Sequence, residues 1–404
     1  MKRRILFVCR AASSESARSA QALASLDNVE VVTADVDDAE QVIAEAVKLG
    51  GVDRIVTTHE MLLEAVARAN EALQLPGMSV EVVTRTLDKA QLKSALQDAG
   101  INTPRYQVVA NPAEAQRFAA EIGFPMVLKS SSGSGALATF VIHSEDDLRN
   151  VTELGAFIAE TFVAGRELCI DTITINGEPQ FYSVCCYQPS ILEAVEDTAT
   201  QWCCVMPRDI DSDEYSEFIA QGLKAIKALG IENAMTHMEG FIDTHGCSWF
   251  TDATLRPAGA RIAPMLAHAY DINPYRAWAR VAVEGAFDGP WERKYAVGTI
   301  FLRGLGSGSV RQVNGMELVQ QEYRHLLVDA RWPTVGARKS ATYTGDGYLT
   351  IRHRETDVVQ QALRTIAEQV KITYSSDEPL ARETWGHRLE NFKELNRPAW
   401  DQAN

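Results

Sequence analysis

The chain has 404 residues, enough for two or three packed units with an ample core. At 46% apolar and 23% charged residues it reads as an ordinary globular sequence, and its formal net charge of -15 argues against a nucleic-acid binder, which carries basic faces. It has no run of 18 apolar residues, and the run after Met1-Lys2-Arg3-Arg4 is too short for a signal peptide. A cytoplasmic protein with no nucleic-acid or membrane partner is expected.

The first elements alternate. Residues 4–8, 29–34 and 54–58 read as strands, separated by helical patterns over 38–49 and 61–73. That order implies a parallel α/β unit. The stretch 9–18 follows the first strand but has neither the cysteine-to-arginine spacing of a phosphatase loop nor GxGxxG, so it reads as a loop. Leu75-Pro76-Gly77-Met78-Ser79 is a turn cluster and a domain boundary. A helix over 87–99 stops at Gly100. Strands at 105–109 and 124–128 flank a helix at 113–122, and a Gly/Ser loop, 130–135, leads into a strand at 138–143.

Beyond residue 157 the chain is strand-rich, with runs at 168–175 and 180–186, a helix at 215–229, and a hairpin of 235–242 with 247–255. Helices continue to about 284. Strands at 298–302 and 349–353 and a helix at 355–370 precede a polar tail, 376–404. Seven cysteines, with adjacent pairs at Cys185-Cys186 and Cys203-Cys204, fit neither a disulfide framework nor zinc spacing, so buried thiols are expected.

Four local signals carry chemistry. Lys89 opens the helix that ends at Gly100, where an exposed helix lysine is the bland alternative. Lys129 closes an apolar strand beside a loop of small residues, including Ser132, Gly133 and Ser134, whose backbone amides can approach phosphate oxygens. The segment from Glu160 through Phe162 and Val163 to Glu167 offers an apolar slot and two acids, which suits an adenine and a ribose. In the hairpin, a four-residue loop at 243–246 sets Ile242 opposite Cys247, Glu239 opposite Phe250 and His237 opposite Asp252. This register points His237, Glu239, Asp252, Thr254 and Arg256 to one face. Two carboxylates on one face suit a hard cation such as Mg²⁺ held with substrate phosphates; a solvated polar face is the alternative.

Taken in this order, the signals resemble the ATP-grasp superfamily over about residues 1–375, and most of all the bacterial L-amino-acid ligases that make dipeptides. The resemblance rests on His237–Glu239, on Arg256-Pro257-Ala258-Gly259, and on the run from Gly298 to Gly315. It implies an α/β fold with an α+β central part. The expected units are a Rossmann-like domain at 1–85, a small lobe at 86–158, a large lobe at 159–295 and a C-terminal lid with tail at 296–404. It also assigns roles. Lys89, Lys129 and the 132–134 loop would hold ATP phosphates; Glu160, Phe162 and Val163 the adenine; Glu167 the ribose. Glu239, Asp252 and Thr254 would hold one or two Mg²⁺, with Mn²⁺ as a substitute. Arg256 would steady the tetrahedral intermediate, and His237 and Gly259 would meet substrate. The implied partners are ATP, a small carboxylate and an amine, and a homodimer is compatible with the resemblance. Asp252-Ala253-Thr254 departs from the family's usual Glu-x-Asn, which leaves either a reshaped metal site or weakened catalysis. An active enzyme is expected. A ligase or carboxylase acting on another acid, and a nucleotide binder without turnover, are the rival readings.

Overall fold

A computed structural model describes residues 2–10, 13–131, 139–152 and 154–378. The Ser132, Gly133 and Ser134 assignments and nearly all of the polar tail lie outside the described residues.

The N-terminal unit comprises β1 (Arg3–Cys9), α1 (Ser14–Ala24), β2 (Val29–Asp35), α2 (Ala39–Lys48), β3 (Arg54–Val56) and α3 (Leu63–Ala72). Its three strands are parallel in the order β2-β1-β3. The central strand is buried from Ile5 to Cys9, as a strand covered on both faces must be. Ser79 then caps α4 (Val80–Leu87), which the sequence reading left unassigned. Asp88 ends α4 and caps α5 (Lys89–Asp98), accepting from the Gln91 amide at 2.8 Å. The expected helix over 87–99 therefore begins at Lys89, and the boundary set at 85/86 falls inside α4.

The small lobe holds β4 (Tyr106–Val109), α6 (Pro112–Ile122), β5 (Met126–Ser130), β6 (Thr139–Ile142), α7 (Glu145–Arg149) and β7 (Phe157–Thr161). Its four strands form one antiparallel sheet in the order β4-β7-β5-β6. The sheet packs on α6 through Phe118, Leu128, Phe140 and Phe157. β7 crosses the 158/159 boundary drawn from the sequence, so the lobe extends to Thr161.

The large lobe contains β8 (Gly165–Ile175), β9 (Glu178–Gln188), α8 (Ile191–Glu196), β10 (Trp202–Met206), α9 (Asp213–Leu229), β11 (Ala234–Asp243), β12 (Ser248–Thr254), α10 (Ile262–Tyr270) and α11 (Pro274–Glu284). After it come β13 (Ala296–Leu302), β14 (Ser307–Asn314), α12 (Met316–Glu322), β15 (Leu327–Arg331), β16 (Gly347–His353), α13 (Thr356–Gln369) and β17 (Lys371–Ser376). One eight-stranded sheet runs β12-β11-β8-β9-β10-β13-β16-β15. The 295/296 boundary thus falls within a continuous sheet, because β13 pairs with β10 from Trp202↔Phe301 to Met206↔Val297. The resemblance implied a C-terminal lid from residue 296, and backbone pairing joins the first strand of that segment to the large lobe.

Alternation along the strands gives this sheet two distinct faces. Leu168, Ile170 and Met238 pack with Phe218, Ile226 and Phe250. Cys169, Ile173 and Met235 face α10, α11 and the N-terminal unit, where Phe7 meets Trp278 edge-on at 6.2 Å. Among the described residues no helix is long and apolar enough to cross a membrane.

The β11–β12 hairpin corrects the expected register. Near its tip Ile242 pairs with Ser248 and Gly240 with Phe250, one residue away from the predicted pairing. Alone, that slip would put Asp252 and Thr254 on the opposite face from Glu239. A bulge after Glu239 adds the missing residue, so Glu239 pairs with Asp252 and His237 with Thr254. The shared face survives, and the two carboxylates stand directly opposite each other. The bulge needs Gly240: a Cβ there would lie 2.2 Å from the Trp249 carbonyl oxygen.

Candidate functional site

Where the two lobes and the N-terminal unit meet there is a cavity of about 420 Å³, a size suited to a small ligand. It is lined by Lys89, Lys129, Glu160, Phe162, Val163, Glu167, His237, Glu239, Asp252, Thr254, Arg256 and Gly259. Every candidate residue that is described therefore borders one space. Phe162 and Val163 lie in the connection between β7 and β8.

A buried charge cluster occupies the junction of the lobes. Asp252 lies 3.0 Å from Lys89 Nζ and 2.8 Å from Lys129 Nζ. Lys129 is also 3.1 Å from Glu160, and Glu160 is 3.2 Å from Lys93. Burial pushes Asp252 toward the neutral acid, but Lys129 and Lys89 outweigh it and hold the carboxyl well below the usual range. Burial likewise opposes the charge on Lys129, and Asp252 and Glu160 outweigh it, raising its pKa. Glu160 thus turns toward ammonium groups: its backbone belongs to the strand entering the hinge, while its side chain meets Lys93 and Lys129.

Lys93 is fully buried and donates to Thr103 Oγ1 at 3.0 Å. Burial pushes its pKa down to about 8 despite Glu160. Sequence reasoning missed it, although it stands one turn after Lys89 on the same helical face, a spacing that could have found it.

Glu167 also lines the cavity and accepts from the Ile191 amide at 2.6 Å. Burial, reinforced by Glu239, raises its pKa to about 8. Glu239 lies 3.3 Å from His237 Nε2 and 3.5 Å from the Tyr187 hydroxyl. The His237 ring is held at its far side by Asp171, 3.1 Å away. Burial works against a charged His237, yet the facing Cys169 and Asp171 hold its pKa well above the usual imidazole range. The Cys169 thiol is itself pushed well up by burial, so Asp171 is the facing charge that matters.

Arg256 donates through Nε and Nη2 to Glu60 at 3.1 and 2.6 Å and through Nη1 to the Pro257 carbonyl at 2.9 Å. Burial opposes its charge, and Glu60 more than restores it. Ala260 and Arg261 both have left-handed backbones just ahead of α10. Such consecutive strain outside glycine is unusual and tends to mark functional loops. A Cβ at Gly259 would meet only Arg256 Nη1, at an ordinary 3.9 Å, so there is open space beside Arg256 here.

A model of the ATP-grasp domain matches residues 94–245. Alanine–anticapsin ligase of Bacillus subtilis is 23% identical over 266 residues, covering 58% of this chain and 55% of that protein. An L-arginine-specific L-amino acid ligase of Bacillus subtilis is 22% identical over 270 residues, 64% of each. The chain therefore spans between about half and two thirds of the length of these relatives. The crystal structure of L-amino acid ligase from Bacillus licheniformis superposes with a TM-score of 0.74 at 19% identity, covering 93% of this chain and all of that one. N5-carboxyaminoimidazole ribonucleotide synthetase from Thermotoga maritima gives 0.69 at 17% identity, covering 92% of this chain and all of that one.

The chain has the ATP-grasp fold.

Within this ATP-grasp architecture the cavity draws on more than the matched domain. Glu60 comes from the segment after β3, and Tyr187, Trp202 and Tyr343 come from β9, β10 and the loop before β16. None belongs to a short motif. Glu60 had one available signal: ligands in open parallel sheets sit beyond the carboxyl ends of the strands, which is where it lies.

The donor set fits a hard divalent cation. Glu239 and Asp252 are opposed carboxylates, and the buried Thr254 hydroxyl has no hydrogen-bond partner among the described residues. A buried unpaired hydroxyl needs explaining, and a metal or its bound water would supply the partner.

Proposed function

We propose that the protein is an ATP- and Mg²⁺-dependent ligase that joins a carboxylate to an amine through an acyl phosphate, releasing ADP and phosphate, with amino acids as substrates. The observation that carries this reading is the pairing of Glu239 with Asp252 across the hairpin, in one cavity with Lys89, Lys129 and Arg256. Relatives named as amino acid ligases support the substrate class, and a cytoplasmic setting suits ATP as co-substrate.

In this reading Phe162 and Val163 form the adenine slot, and Glu167 accepts from ribose hydroxyls. Lys89 and Lys129 leave Asp252 and hold phosphate oxygens. Glu239, Asp252 and Thr254 would hold the metal, which supplies charge neutralisation on the phosphates when bound. The lobes orient the acid for in-line attack on the γ-phosphate, a step that gains mainly from positioning. Arg256 stabilises the oxyanion that develops when the amine attacks, an effect worth roughly 3 kcal/mol for a well-placed donor. Gly259 leaves room for the amine beside Arg256.

The test is ADP release from ATP and Mg²⁺ with a mixture of amino acids. Release that depends on the amino acids, with formation of a peptide product, is expected. Release with bicarbonate and an amine instead would favour the second reading, a carboxylating enzyme, for which the fold likeness to N5-carboxyaminoimidazole ribonucleotide synthetase speaks. ATP binding without ADP release under any mixture would refute both.

A further inference from the structure

The polar face under Glu239 continues into the core. In the β8–β11 pairing, His237 lies directly opposite Asp171 and Glu239 opposite Cys169. His237 Nδ1 is 3.1 Å from one Asp171 oxygen, and the Cys169 thiol donates to the other at 3.7 Å. His237 Nε2 is 3.3 Å from Glu239 Oε1. Exposure grades from the core outward: Cys169 is 0% exposed, Asp171 1% and His237 8%, while the Glu239 side chain is 27% exposed. Asp171 does not line the cavity and has no part in the chemistry above. A carboxylate at such depth is costly unless its partners offset it.

We propose that Asp171 is a positioning residue that fixes the His237 ring and, through it, aims Glu239 into the cavity. The inference rests on the reading of Glu239 as a metal ligand. With both oxygens of Asp171 engaged, Nδ1 of His237 must be the donor on that side, which fixes the ring plane and presents Nε2 to Glu239. Facing a carboxylate on each side, the ring donates from both nitrogens as an imidazolium, so Nε2–H holds one oxygen of Glu239 and leaves the other outside this contact. A partly exposed glutamate otherwise samples several rotamers. Strand geometry makes the device: Asp171 and His237 are a cross-strand pair, and Glu239 follows two residues along on the same face. Partners behind metal ligands commonly hold them in this way. His237 thus acts through Glu239 rather than on the substrate, the role given to it by sequence resemblance.

The experiment uses the full chain with ADP and with Mn²⁺ as the probe, free Mn²⁺ being counted by electron paramagnetic resonance. Asp171→Asn and His237→Gln should each weaken Mn²⁺ binding about 10- to 100-fold, while ADP affinity in EDTA stays at the wild-type value. Cys169→Ser, which keeps a donor to Asp171, should retain wild-type Mn²⁺ affinity, and Cys169→Ala should lose part of it. If Asp171→Asn does not fold, His237→Gln and Cys169→Ala read the same chain of contacts from its two ends. Glu239→Gln separates the two layers of argument. If it leaves Mn²⁺ affinity unchanged, the metal-ligand reading fails. If it weakens binding while folded Asp171→Asn and His237→Gln do not, the ligand reading stands and the positioning role is overturned. A thiolate-to-Co²⁺ charge-transfer band that vanishes in Cys169→Ser would also overturn it, because Cys169, Asp171 and His237 would then be a metal site of their own.

Discussion

Replacing Lys129 by methionine removes the ammonium that stands between the two acids of the cluster while keeping most of the side-chain volume. In the structure Asp252 would retain Lys89 at 3.0 Å and Glu160 would retain Lys93 at 3.2 Å. Neither carboxylate is left alone, so the loss of stability should stay below the roughly 3–5 kcal/mol that follows an uncompensated buried charge. The nucleotide is a different matter. Three ammoniums against two carboxylates leave one positive charge for a phosphate, and the substitution removes it. A charge-assisted contact is worth roughly 1.5–3 kcal/mol, so the dissociation constant for ATP should rise about 10- to 150-fold. Calorimetric titration of ATP with Mg²⁺, on protein shown to be folded by its melting curve, measures this directly. Lys93→Met is the matched control: it removes an ammonium from the same cluster at a residue that does not line the cavity, and should weaken ATP less. Unchanged ATP affinity in Lys129→Met, or equal losses in both variants, would refute the assignment of Lys129 to phosphate.

Thr254→Val removes a buried hydroxyl without a partner among the described residues, so the melting temperature should hold or rise while the Mg²⁺ needed for ADP release increases. Thr254→Asn should be tolerated, and a Mg²⁺ curve indifferent to Thr254→Val would take threonine out of the metal shell. Glu167 has its pKa raised from the ordinary value to about 8, so the folded state binds that proton more tightly than the unfolded one and stability falls as pH rises from about 4.5 to 8. At about 1.4 kcal/mol per unit of pKa difference, Glu167→Gln should flatten this part of the stability profile, and parallel profiles for the two proteins would contradict the shift. Gly240→Ala would place a Cβ 2.2 Å from the Trp249 carbonyl oxygen and should cost at least about 1–3 kcal/mol in chemical denaturation; a neutral result would mean that the bulge relaxes freely.

Most elements were legible because their signals are local. The parallel unit followed from apolar runs such as Ile5–Cys9 alternating with helical patterns, and the end of α5 followed from the glycine stop at Gly100. Residues 80–87 were missed because Val80, Val82 and Val83 are β-branched and because Asp88 closes one helix while capping the next. The hairpin shows a deeper limit. Counting outward from a turn fixes a register only if no residue is extra, and a bulge is set by close backbone approach at Gly240, which has no side-chain signature. The face came out right because the extra residue compensates for the slip. The continuity of the central sheet across 295–296 was out of reach for another reason: β10 and β13 are about 90 residues apart along the chain, and pairing at that range depends on the whole fold rather than on any window of sequence.

The site's basic groups are already paired with carboxylates within the protein, and this constrains how it can work. Lys89 and Lys129 close on Asp252, and Arg256 closes on Glu60, 196 residues away in the N-terminal unit. In the proposed reaction Lys89 and Lys129 would turn from Asp252 toward phosphate. A vacated carboxylate in a partly buried site is costly, and for Asp252 the natural replacement is the metal, which also neutralises the phosphates drawing the lysines away. Nucleotide and metal then favour each other's binding by the same factor, because each relieves the charge that the other exposes. For Arg256 the charge is held within the protein: Glu60 accepts from Nε and Nη2, and Glu15 also supports its charge. Turning a further N–H toward an oxyanion therefore need not strip Glu60 of its partner, and the contact links the N-terminal unit to the cavity that the large lobe builds.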